Sequence, residues 1–240
     1  MEAGTGLRSR VAAIAAIVAL IAGLSCSFAS HARAQLRADL ALVLAIDCSY
    51  SVNTQEYQQQ IVGSAQALID PEVLEAIARG RHKRILVAVV QWSSEHSQIM
   101  SVPWMQVSNA AEALELAARV RAQQRQTAEG STSISGAINA GMQAFERLPF
   151  PADRLVIDIS GDGTNNRGEK VDNVRDRAVD AGITINGLTI LNDFSWLHHY
   201  YRNHVIGGPG SFIEIADDYS AYGEAIRKKI LREIRGNWVS

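Results

Sequence analysis

Residues 40–51 read LALVLAIDCSYS. Seven apolar residues, Leu40 through Ile46, run without a charge and stop at Asp47. An unbroken apolar run of this length fits a strand buried on both faces, as in a parallel sheet. Asp47, Ser49 and Ser51 then alternate with Cys48 and Tyr50. One carboxylate and two hydroxyls at i, i+2 and i+4, leaving a buried strand, converge on a hard cation.

Upstream of this stretch, the first 34 residues read as a secretory leader. Arg8 and Arg10 give a positive start, residues 11–24 form an apolar run, and Ala32-Arg33-Ala34 makes an A-x-A cleavage site. The run is shorter than the ~20 apolar residues a spanning helix needs. The expectation is therefore cleavage after Ala34, a periplasmic or secreted product, and one domain over residues 35–240. A chain of that size buries a full core.

The charge balance excludes some partners. The 23 basic and 25 acidic residues become 20 and 24 once Arg8, Arg10, Arg33 and Glu2 leave with the leader. Nothing in that mildly acidic balance suits nucleic acid or an anionic membrane surface. Of the two cysteines, Cys26 goes with the leader, so Cys48 has no intrachain disulfide partner. Its small apolar character suits packing better than reactivity.

Downstream, strands and helices alternate. Asn53-Thr54-Gln55-Glu56 is a capping box, and Ile61, Ala65, Leu68 and Ile69 recur at helical spacing. Pro71 breaks that helix near Asp70, and a short helix follows over 71–78. Residues 84–92, RILVAVVQW, form the second buried strand. Residues 98–102 are expected as a short antiparallel edge strand stopped by Pro103, because too few residues intervene for a parallel crossover. Helices are expected over 109–121, from Gly130-Ser131-Thr132 through Phe145, over 171–181 with Gly182 closing it, and over 219–235 with Asp217 and Asp218 as caps. Strands are expected over 154–160, 183–190 and 211–215. Asp158 is out of place in a strand, so it either pairs with a neighbour or faces outward.

This alternation predicts an α/β fold: a doubly wound, mostly parallel sheet with one short antiparallel edge strand and helices on both faces. Ligands in such sheets sit beyond the carboxyl ends of strands, where the strand order switches. Asp47, Ser49 and Ser51 lie at one such end and Asp162 at another, and Thr132 opens the helix that leads to Asp162. All five are hard oxygen donors, a chemistry that favours Mg²⁺, Mn²⁺ or Ca²⁺ over zinc or copper. The helix starts near Ser51 and Thr132 oppose a cation by about 0.3–1 kcal/mol each, which two ionised aspartates outweigh.

The pattern Asp47-x-Ser49-x-Ser51 resembles the metal-ion-dependent adhesion site of von Willebrand factor A domains. Gly130-Ser131-Thr132 resembles that family's G-x-T segment. Ser160-Gly161-Asp162-Gly163 resembles its T-D-G segment, with Gly161 as an inserted departure. The three occur in family order. The resemblance implies hydroxyls touching the metal, aspartates acting largely through water, and a partner carboxylate as the last ligand. Further stretches resemble a narrower group of secreted bacterial proteins still labelled a domain of unknown function. They include Asp70-Pro71, Val90-Gln91-Trp92-Ser93, Val102-Pro103-Trp104, Asn165-Asn166 and Tyr200-Tyr201.

The function expected is an exported, non-enzymatic binding module that captures an Asp or Glu of a partner protein through a bound divalent metal. A phosphoester hydrolase built on Asp47 would need a general acid–base, for which Asp193 is the nearest candidate. It would also need a second Asp where Ser49 stands. A structural envelope protein whose metal only braces loops is the third reading. His198, His199 and His204 lack the i, i+4 spacing of a helical zinc pair. Phe194, Trp196, Tyr200 and Tyr201 follow a strand's carboxyl end and offer either a partner surface or ordinary packing.

Overall fold

β1 (Leu40–Asp47) is the axis of the sheet, and all eight of its residues are buried. Its side chains alternate between two apolar layers. Leu40, Leu42, Leu44 and Ile46 face one, and Val43 and Ala45 face the other. Burying each such large side chain stabilises the fold by roughly 1.5–3 kcal/mol. That double burial is why the strand carries no charge before Asp47. The computed structural model describes residues 36–128 and 130–236. The expected leader therefore lies outside the described residues.

Parallel to β1 on one side runs β2 (Ile85–Trp92), from Leu40↔Ile85 to Asp47↔Trp92. On its other side runs β4 (Leu155–Gly161), from Ala41↔Leu155 to Ile46↔Ser160. β5 (Ile183–Ile190) and β6 (Ile213–Ala216) extend the sheet in parallel beyond β4. β3 (Gln98–Val107) pairs antiparallel with β2 and forms the opposite edge. The order is β3-β2-β1-β4-β5-β6. The chain winds outward from β1 to β3, then crosses back to β4. The switch in order falls between β1 and β4, and their carboxyl ends are Asp47 and Gly161.

Helices cover both faces. α1 (Thr54–Leu68), α2 (Pro71–Arg79), α3 (Ala110–Arg121) and α7 (Tyr222–Arg235) pack through Ile61, Ile77, Leu116 and Ile230 on one. α4 (Ile134–Phe145) and α5 (Val171–Asp180) pack through Ile138 and Val174 on the other. There they are joined by α6 (Leu197–Tyr200) and a π-helical turn, Tyr201–Val205. The capping box forms as read: Asn53 accepts from Gln55 N and Glu56 N, and Glu56 accepts from Asn53 N. Pro71 takes the first position of α2 with Asp70 as its cap. Among the described residues no helix is long and apolar enough to cross a membrane.

The structure departs from the sequence expectations at several places. α4 begins at Ile134 with Ser133 as its cap, so Thr132 stands in the loop ahead of the helix rather than opening it. β3 does not stop at Pro103 but runs on to Val107. The pairing with β2 shifts register between Val87 and Val89, opposite residues 102–105, so Pro103 sits in a bulge on an edge strand, where a missing N–H costs least. α7 begins at Tyr222 rather than 219, because Asp218 accepts from Ser220 N and Ala221 N and holds a turn ahead of the helix. β6 starts at Ile213, two residues later than read. Asp158 resolves to the paired alternative: it is fully buried with Lys229 Nζ 2.8 Å from Oδ1. Lys229 also lies 2.6 Å from Glu233 Oε1, to which Asn186 donates at 3.0 Å.

Candidate metal centre

Asp47 ends β1 inside the protein, and Ser49 N donates to its Oδ1 at 2.7 Å. This short turn carries Ser49 and Ser51 over the end of the strand, with their hydroxyls 3.2 Å apart. Ser51 Oγ donates to Asp162 Oδ1 at 2.7 Å, which joins the β1 and β4 ends directly. Tyr219 OH, just ahead of α7, donates to Asp162 Oδ2 at 3.0 Å.

Thr132 arrives from a third segment. Tyr50 N donates to Gly130 O at 2.9 Å, and Ser133 N to Ser93 O at 2.8 Å, so the Thr132 loop is stitched to those after β1 and β2. Asn166 then clasps Thr132: its Oδ1 accepts from Thr132 N, and its own N donates to Thr132 O, both at 2.9 Å. Asn165 Oδ1 accepts from Ser135 N at 3.0 Å in the same way. Thr132 is 7 % exposed, and its Oγ1 lies 3.7 Å from where a Cβ on Gly163 would stand. Asp47, Ser49, Ser51 and Asp162 thus form one hydrogen-bonded chain. Thr132 reaches the same rim beside the residue that follows Asp162.

The electrostatics are those of two acids buried together. Burial first, and the charge of Asp162 second, push the Asp47 carboxyl up to about 8. Burial also raises Asp162, against the pull of hydrogen bonds from Ser51 and Tyr219. Asp47 Oδ2 is buried without a hydrogen-bond partner, and so are Tyr201 OH and Trp92 Nε1. An orphaned carboxylate oxygen at this depth is costly. A Cβ on Gly161 would stand 2.9 Å from that oxygen and 2.7 Å from Tyr201 OH. The residue that looked like an insertion is therefore required: no other side chain fits between these two groups.

The sequence alone does not place Tyr219 or the Asn165-Asn166 pair at this rim; Tyr201, read as partner surface or packing, is buried here. The adjacent asparagines after an Asp-Gly step were a usable turn signal. Tyr219 carries no local signal, because only the tertiary fold brings it here.

The other candidates separate cleanly. The His198 and His199 rings lie 4.0 Å apart, while His204 Nδ1 is 3.1 Å from Asp172 Oδ1. Phe194 and Trp196 are exposed, with rings 5.4 Å apart, whereas Tyr201 is core. Cys48 is buried and free, and burial raises its thiol. At the opposite pole Asp39, His82 and Asp153 bring ligand-type atoms within 4.8 Å of one another. Arg37 already pairs with Asp153, and Asp39 accepts from His82 N at 2.9 Å and Arg84 N at 3.4 Å. That group is an ionic clasp, with its negative charge already answered.

Comparison with known proteins identifies the fold. Proximal thread matrix protein 1 from the mussel byssus superposes with a TM-score of 0.62 at 13% identity, over 84% of this chain and 48% of its own. A second structure of that protein has a zinc-occupied MIDAS motif, with a TM-score of 0.58 and 14% identity over 82% of this chain and 46% of its own. A von Willebrand factor type A protein from Catenulispora acidiphila gives 0.61 at 14% identity, over 82% and 43%. The chain thus spans under half the length of these proteins. It matches nearly all, 98%, of the vWF domain of the type V pili tip protein Mfa5 from Porphyromonas gingivalis, with 85% of this chain covered, 12% identity and a TM-score of 0.55. At these identities the likeness shows the von Willebrand factor A fold. No curated protein sequence matches the chain. The family model described as "Protein of unknown function (DUF1194)" matches residues 37–238, and the chain belongs to that family, here seen on a von Willebrand factor A fold.

Proposed function

We propose that this protein is an exported, non-enzymatic interaction module that binds a divalent cation at Asp47, Ser49, Ser51, Thr132 and Asp162. The bound cation would capture an Asp or Glu of a partner protein. The observation that carries this reading is the Ser51–Asp162 contact at 2.7 Å across the switch point, beside the unpartnered Asp47 Oδ2. The residues fit a metal. The donors are oxygens only, and the buried acids are short of positive charge. Mg²⁺, Mn²⁺ or Ca²⁺ suits such a set.

When bound, the ion supplies an electrophilic point for a carboxylate. Two unit charges ~4 Å apart attract by about 4 kcal/mol at an effective dielectric of 20, and desolvation offsets part of that. This chain's own residues do the rest. Asn166 and Asn165 hold the Thr132 loop in place. Tyr219 orients Asp162. The exposed Tyr50, Phe194 and Trp196 supply apolar contact area at the same pole.

Calorimetric titration of Mg²⁺ and Mn²⁺ into the domain tests the first half. We expect saturable binding that is lost in Asp47→Ala and in Thr132→Ala. Binding that survives both substitutions overturns the assignment. Capture from envelope extract, with and without EDTA, tests the second half. A partner held equally well in EDTA would leave the metal a bracing role only.

A further inference from the structure

At the pole opposite the candidate metal centre, where β4 and β5 begin, lies a cavity of about 610 Å³. This volume falls within the roughly 300–1,000 Å³ of small-molecule sites. Leu155, Val156, Val179 and Phe212 give it apolar walls. The exposed guanidinium of Arg232 lies at its rim, 3.8 Å from the centroid of the Phe212 ring.

The charges around the cavity are unequal in their commitments. Asp153 is held by Arg37 and His82. Glu233 is turned inward, with Lys229 at 2.6 Å and Asn186 at 3.0 Å. Arg154 donates to the last carbonyls of α7, Glu233 O at 2.6 Å and Ile234 O at 3.0 Å. This neutralises the negative end of the helix, which would otherwise repel an anion. Among the described residues Arg232 makes the ring contact and no ion pair. An arginine whose guanidinium carbon sits over an aromatic ring still has N–H donors to offer a carboxylate.

We propose that this cavity binds a small amphipathic anion, a carboxylate on an alkyl or aryl body. The head would pair with Arg232, and the body would lie against Phe212, Val156 and Val179. One observation points the other way: Glu233 Oε2 is buried without a hydrogen-bond partner, which would suit an amine. The charge of Arg154 acts on Glu233 and offsets that demand.

The test titrates sodium decanoate, decanol and decylamine separately into the domain. EDTA is kept present so that the metal centre plays no part, and amide and methyl shifts are followed by NMR. Decanoate is expected to saturate, with shifts confined to Leu155, Val179, Phe212 and their neighbours. Arg232→Gln, an exposed substitution that spares the core, should weaken it about tenfold, with Arg232→Lys in between. Val179→Trp, which fills the cavity, should abolish it. Equal binding of decanol, tighter binding of decylamine, unchanged decanoate affinity in Arg232→Gln, or no saturable shift would each overturn the proposal.

Discussion

A methyl group at position 161 would stand 2.7 Å from the Tyr201 hydroxyl and 2.9 Å from Asp47 Oδ2, closer than carbon approaches oxygen without strain. Both neighbours are fully buried and cannot swing aside. The strain would fall on the β4 end, which also carries Asp162. Gly161→Ala is therefore expected to destabilise the domain by about 1–3 kcal/mol, the usual cost of overpacking. It should appear as a lower urea midpoint with an unchanged slope, together with weaker divalent titration. Gly163→Ala is the control. Its Cβ would meet Thr132 at 3.7 Å, an ordinary contact, and should cost well under half as much. Equal losses at the two glycines would refute the steric account. From the sequence, Gly161 read only as an irregularity in a motif. The reason for it is a tyrosine on a π-helical turn, brought up by the tertiary fold.

At the scale of elements, β4 and α7 are joined by a buried charge group as well as by apolar packing. Lys229 lies between Asp158 and Glu233, and the side chains of all three are fully buried. Lys229→Met would strand two carboxylates in the interior, at a cost of about 3–5 kcal/mol. Adding Asp158→Leu and Glu233→Leu should recover most of that loss, because removing every charge removes the unpaired ones. Urea unfolding of the single and triple variants decides. A single-variant loss below about 1 kcal/mol would mean the carboxylates find other partners. The elements themselves were legible wherever burial dictated composition. The apolar runs of β1 and β2, the alternating apolar residues of β5 and the capping box of α1 need no tertiary information. Pro103 was misread because a breaker rule assumes a regular strand, and β3 is a bulged edge. The start of α7 was misread because Asp218 caps a turn rather than a helix.

For the whole molecule, the order β3-β2-β1-β4-β5-β6 gathers the carboxyl ends of the parallel strands at one pole. Asp47, Ser49, Ser51 and Asp162 were legible as a group because they follow the carboxyl ends of two predicted parallel strands, in the order of the von Willebrand factor A motif. Tyr219 was not legible and Asn166 was legible only as a turn residue, since their orienting roles depend on which loops meet. The cost of burying acids gives the domain a pH dependence. Burial raises the Asp158 carboxyl to about 7, with Lys229 pulling it down and Glu233 pushing it up. A carboxyl whose folded value lies above its unfolded value of about 3.9 takes up a proton on folding. Its contribution to stability is present at low pH and is lost as pH rises through about 7. The slope is at most about 1.4 kcal/mol per pH unit for one proton. The nearby Tyr201 and Tyr222 hydroxyls are raised by burial and stay neutral throughout this window. In EDTA, the urea midpoint should therefore fall between pH 5 and pH 8, and Asp158→Asn should flatten part of that fall. Asp47, at about 8, adds a drop of the same sign. Saturating Mg²⁺ should remove that part by favouring the ionised carboxylate. A midpoint that rises with pH in EDTA, or an Asp158→Asn profile parallel to that of the native chain, would show that the buried carboxyls fold already ionised.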